Sequence, residues 1–76
     1  MDNLLKMEVE KFEKNFKDLR DLYNQYLCDH ISDEIQIVWI KHSIRRFFIH
    51  HKNTSPSYED LVKFNKEIEE DLLKYV

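Results

Sequence analysis

The chain has 76 residues, 42% of them apolar, 13% aromatic and 36% charged, and its 12 Lys and Arg against 15 Asp and Glu leave a net charge of -3. That length holds one folded unit, 1–76, and no second domain. The apolar share excludes a disordered tail, the charged share excludes a membrane span, and the slightly acidic balance excludes a general polyanion binder. Glycine and alanine are both absent. Without Gly there is no inexpensive residue for positive φ, so tight hairpins, phosphate-cradling loops and Gly-terminated helices are not expected, and neither a Walker loop nor a dinucleotide fingerprint is present. The single Cys cannot close an intrachain disulfide. The opening MDNLLKMEVEKFEK carries no basic head followed by an apolar run, so no secretory signal is expected and a reducing cytoplasm is the expected location.

The first segment places Leu5, Val9, Phe12, Phe16, Leu19, Tyr23 and Tyr26 at alternating spacings of four and three. This is a heptad seam sustained over three repeats, and it predicts a long amphipathic helix over 2–28, with Leu4, Leu22 and Leu27 widening the apolar stripe. Cys28 to Ser32 forms a break, with Ser32 as the expected N-cap and Asp33 and Glu34 in the first turn of the next helix, where its dipole favours negative charge.

The second helix is expected over 32–51. Its apolar residues fall into two groups on the helical wheel: Ile37, Ile40, Ile44, Phe47 and Phe48 on one side, Ile31, Ile35, Val38, Trp39 and Ile49 on the other. A surface helix needs one apolar stripe. A helix with two either occupies the centre of a bundle or turns one face to its own core and the other to a partner.

Lys52 to Pro56 is the second break. Two caps compete there: Ser55 ahead of Pro56 at a first helical position, and Ser57 with Asp60 in a capping-box arrangement. The third helix, over 56–74, carries Tyr58, Leu61, Phe64, Ile68, Leu72 and Tyr75 on its apolar side. Glu59–Lys63 and Glu70–Lys74 are spaced for ion pairs along its outer side. The expected architecture is all-α, a three-helix up-down-up bundle or a helical hairpin. A chain of this size draws only about 3–5 kcal/mol from a single core, so self-association, as a homodimer, is the expected supplement.

The second helix is also the one basic island: Lys41, Arg45, Arg46 and Lys52 outnumber Asp33 and Glu34, whereas both flanking segments carry excess acid. Two uses of that charge compete with simple pairing to the acidic helices. One is orientation on an acidic protein partner, with Trp39 and Phe48 as anchors and Arg45 and Arg46 as the fixing charges. The other is nucleic-acid contact through Lys41, Arg45, Arg46 and Lys52, with neighbouring aromatics for base stacking. Arg45 to His50 and Arg46 to His51 each read Arg-x-x-x-x-His, which resembles the Arg–His motif of the HEPN ribonuclease family. That resemblance implies an all-helical dimer in which motif residues of two subunits converge on RNA.

No metal or other cofactor is expected. Cys28, Asp29 and His30 lie at the opposite end of the second helix from His50 and His51, about 30 Å away at 1.5 Å per residue, and no carboxylates form an acid–base pair. The reading favoured by these residues is a noncatalytic protein of the inhibitor, adaptor, immunity-protein or small-subunit kind, acting by protein binding. A nucleic-acid-binding regulator and a HEPN-like RNase are the alternatives.

Overall fold

A computed structural model describes residues 3–29, 33–51, 53–54 and 56–75. Three helices follow in order, α1 (Asn3–Asp29), α2 (Asp33–His50) and α3 (Tyr58–Leu73), in an all-helical bundle in which α1 packs most extensively on α3, next on α2, while α2 and α3 touch least. The expected ends lie within two residues of these, and the Ser32 cap and Ile31 lie outside the described residues. No described helix is long and apolar enough to cross a membrane.

The helix ends follow from the residues available to make them. At the start of α3 the Ser57 cap prevails: Asp60 N donates to Ser57 Oγ at 3.2 Å while Ser57 N donates to Asp60 Oδ2 at 3.4 Å. Pro56 therefore precedes the cap and does not open the helix, and Ser55 lies outside the described residues. Such reciprocal bonding satisfies two otherwise orphaned donors. At the end of α2 the absence of glycine precludes the usual left-handed stop, and no described residue has positive φ. Thr54 does the work instead. Its hydroxyl donates to the carbonyl oxygens of Phe48 and His51, and its N–H donates to the His51 carbonyl at 3.2 Å. At the end of α3, Lys74 Nζ lies 3.5 Å from Asp71 Oδ1, so the pairing expected with Glu70 gives way to one with Asp71.

The heptad seam of α1 is the spine of the core. Phe12, Phe16 and Leu19 are buried with Val38 of α2 and Ile68 of α3, and Leu22, Trp39, Ile49, Phe64, Leu72 and Tyr75 pack around them. Phe16 stacks on Phe12 with ring centroids 6.2 Å apart. Leu4 and Leu27, expected to widen the stripe, are more than half exposed; of the three added residues Leu22 alone packs on the core. Leu4 and Leu22 share one angle on the wheel, so the difference is one of position along the helix: Leu4 and Leu27 stand near the two ends of α1, whose 27 residues pack against helices of 18 and 16.

One seam position on α3 is polar. Asn65, spaced four from Leu61 and three from Ile68, is 1% exposed and donates through Nδ2 to the Glu8 carbonyl at 2.9 Å and to Glu8 Oε2 at 2.7 Å. A buried amide that finds its partners at only one register holds α3 against α1 at that register.

Phe12→Ala, which empties the fully buried centre of the spine, should cost roughly 3–5 kcal/mol, while Ser57→Ala at the cap should cost about 1 kcal/mol. Urea unfolding followed by circular dichroism measures both, and a cap loss equal to the core loss would contradict this packing.

Candidate interaction surface on the second helix

The orientation of α2 is set by charges that cross to its neighbours. Asp71 of α3, 5% exposed, receives Lys41 Nζ at 2.9 Å and His42 Nε2 at 2.6 Å from α2. Burial by itself pushes the Asp71 carboxyl up, but the hydrogen bonds and charges of Lys41 and His42 outweigh it and hold the group below its ordinary value. His42 is wholly buried, and that burial drives its pKa below the ordinary 6.5 against the opposing pull of Asp71. The imidazole is therefore neutral at pH 7. Because an ionised Asp71 can only accept, Nε2 carries the proton and donates it, and Nδ1 is a buried acceptor without a hydrogen-bond partner.

The remaining cations of α2 are engaged in the same way. Arg45 pairs through Nη1 with Glu67 of α3, its guanidinium 4.9 Å from the centre of the Phe64 ring. Arg46 pairs through Nε with Glu13 of α1 at 2.9 Å and lies 5.1 Å over Phe16. His50 Nε2 reaches the other oxygen of the same Glu13 carboxylate. Burial raises Glu13, yet the Arg46 and His50 hydrogen bonds prevail and its pKa is lowered. The basic island thus meets acids on both flanking helices, and three arginine, lysine and histidine contacts on α3 offset the small apolar overlap between α2 and α3.

These clips divide the apolar residues of α2 as the helical wheel divides them. Ile35 and Val38 are buried, and Ile49 packs on the core. Trp39 stacks between Phe16 and Tyr23, with centroids 5.0 and 4.8 Å away. Both of these ring contacts lie within the bundle. On the opposite side Ile37, Ile40, Ile44, Phe47 and Phe48 stand in solvent at 65, 55, 63, 69 and 38% exposure. Of the residues singled out as partner anchors, Phe48 alone lies on that outer face; Trp39 faces the core, and Arg45 and Arg46 hold carboxylates of their own chain.

The residues of the two Arg–His pairs separate. Arg46 and His50 meet at Glu13, Arg45 turns to Glu67, and His51 sits exposed with its ring 5.2 Å from Phe47. Asn53 N donates to His51 Nδ1 at 3.2 Å. An open groove of about 930 Å³ runs between α1 and the end of α2, with Arg20, Trp39, Arg46 and Phe47 among its walls. Arg20 was not legible as part of it, because the groove forms only where α1 crosses α2. Lys52 and the His30 end of the Cys28–His30 cluster lie outside the described residues. Among the described residues no three His, Cys, Asp or Glu side chains gather as ligands for a metal ion.

His42 and Asp71 also escaped sequence reading. An His on α2 and an Asp among six acids on α3 carry no signal of burial, and only their packing pairs them. Comparison with protein-family models, curated proteins and solved structures found no match.

Two consequences are measurable. Asp71→Ala leaves His42 and Lys41 without their acceptor and should destabilise the fold by about 2 kcal/mol or more, read as a lower urea midpoint. The second concerns pH. Below pH 6.5 the unfolded chain takes up a proton at His42 that the native state refuses, so stability falls on acidification from that point. Asp71 adds its own loss only below its ordinary 3.8. The urea midpoint should drop between pH 7 and pH 5, and that drop should be smaller in His42→Gln; an equal drop in both would remove His42 as its source.

Proposed function

We propose that this protein is a noncatalytic association module that docks the outer face of α2 on an apolar surface of another polypeptide chain. The observation that carries the reading is the row Ile37, Ile40, Ile44, Phe47 and Phe48, exposed on a helix whose other apolar face is already in the core. Among the described residues eleven large apolar side chains are exposed and seven are buried. Such a surplus, concentrated on one helix, is the mark of an interface.

The energetics favour an apolar partner. Full burial of an Ile or Phe side chain is worth roughly 1.5–3 kcal/mol, and these five retain between 38 and 69% of their surface. Their completion therefore contributes on the order of 5 kcal/mol from one side. Association costs about 4–15 kcal/mol in lost freedom, so the opposing surface must bring a comparable stripe. Small inhibitors, adaptors, immunity proteins and small subunits work in this manner. The nucleic-acid reading draws on Lys41, Arg45, Arg46 and Lys52 and the RNase reading on Arg45, Arg46, His50 and His51; of these Lys41, Arg45, Arg46 and His50 are held by Asp71, Glu67 and Glu13. Those pairings favour the apolar face over the charged one.

A photo-crosslinking residue placed at Ile44 in the full chain, in its native host cells, should yield adducts larger than the monomer. The same residue at Lys14, on the solvent side of α1, should yield none. Absence of adducts from position 44, or equal yields from both positions, would contradict the proposal.

A further inference from the structure

The outer face of α2 is complementary to itself when reversed, and we infer that its partner is a second copy of this chain, packed antiparallel about a two-fold axis near residue 42. This inference rests on the docking role proposed above and names its occupant.

Along the face run Asp33, Ile37, Ile40, Ile44, Phe47 and His51, at spacings of four, three, four, three and four. That is an unbroken heptad seam, of the kind two helices bury in each other. Its apolar part is flanked by an acid at one end and an imidazole at the other, both exposed. Reversing a second copy about residue 42 sets Ile40 against Ile44, Ile37 against Phe47 and Asp33 against His51, each pair occurring twice as an isologous interface requires. A parallel arrangement would instead set Asp33 against Asp33 and His51 against His51, which leaves each carboxylate facing another carboxylate and without an imidazole donor.

Two details suit the reversed pairing. His51 Nδ1 already accepts from Asn53, so Nε2 bears the proton and is the free donor for a carboxylate. Lys41 is the cation nearest the axis, where two copies would repel, and its ammonium is met by Asp71 of its own chain. From Asp33 to His51, which lies one residue past the end of α2, the seam spans about 27 Å at 1.5 Å per residue. Its four apolar residues match in the partner the comparable stripe that the association needs.

Sedimentation equilibrium of the full chain should show a dimer with a dissociation constant on the order of 10 μM. Ile44→Lys should render it monomeric with its helical circular dichroism intact, and the milder Ile44→Ser should weaken it if the lysine variant fails to fold. Asp33→Lys and His51→Glu should each weaken the dimer by roughly five- to tenfold, and the two together should restore it, since the exchanged side chains again set an N–H donor against a carboxylate. A strict monomer at about 100 μM overturns the inference; with adducts still formed from position 44 the docking role stands with a different partner, and without them both fall. A dimer that Ile44→Lys dissolves but the double exchange does not restore overturns the antiparallel register while leaving the face as an interface.

Discussion

Everything the outer surface of α2 presents depends on one buried carboxylate. Asp71 collects Lys41 and His42 in the thin seam where α2 and α3 meet, and Lys74 lies beside it on its own helix. Apolar packing by itself would let α2 roll, because the helix is apolar on two sides and either could face α1. A neutral imidazole donating to an ionised carboxylate has one geometry, and that geometry turns Val38, Trp39 and Ile49 inward. The five apolar residues on the other side are outward as a consequence. Arg45 on Glu67 and Arg46 on Glu13 reinforce the same rotation from opposite flanks.

The division of labour among the helices follows. α1 supplies the hydrophobic spine, which both other helices share, and α3 supplies most of the acceptors for the basic side chains of α2. Asn65 on Glu8 does for α3 and α1 what Asp71 does for α2 and α3: a buried polar group that finds its hydrogen bonds at one register selects among packings that apolar contacts would rank as nearly equal. The result is a small core closed by polar clips, with a large apolar stripe left over. A core of that size sits near the limit for a chain of 76 residues, and completing the stripe against another chain would supply what the core lacks.

Much of this was legible in advance, for reasons particular residues make plain. Leu5 through Tyr26 read as a helix because alternating spacings of three and four have no other regular solution. The split of α2 into two apolar faces follows from the wheel and matches the observed exposure of each of its described residues. Trp39 belongs to the inner of those faces, yet its size and Arg neighbours suggest recognition by a partner, and nothing in its position along the chain says that Phe16 and Tyr23 stack on it. Arg45 and Arg46 looked equally available to a partner or to acids of their own chain, since charge along a sequence does not indicate distance in space.

Helix number, helix type, the all-α class and the existence of a second apolar face are properties of spacing within single segments, and local periodicity encodes them completely. Which face of α2 turns outward, which acids neutralise its cations, and that His42 and Asn65 are buried polar groups are properties of pairs separated by 29 and 57 residues. Those pairs are brought together only when the helices pack, because a hydrogen bond between elements has no periodic trace in either of them.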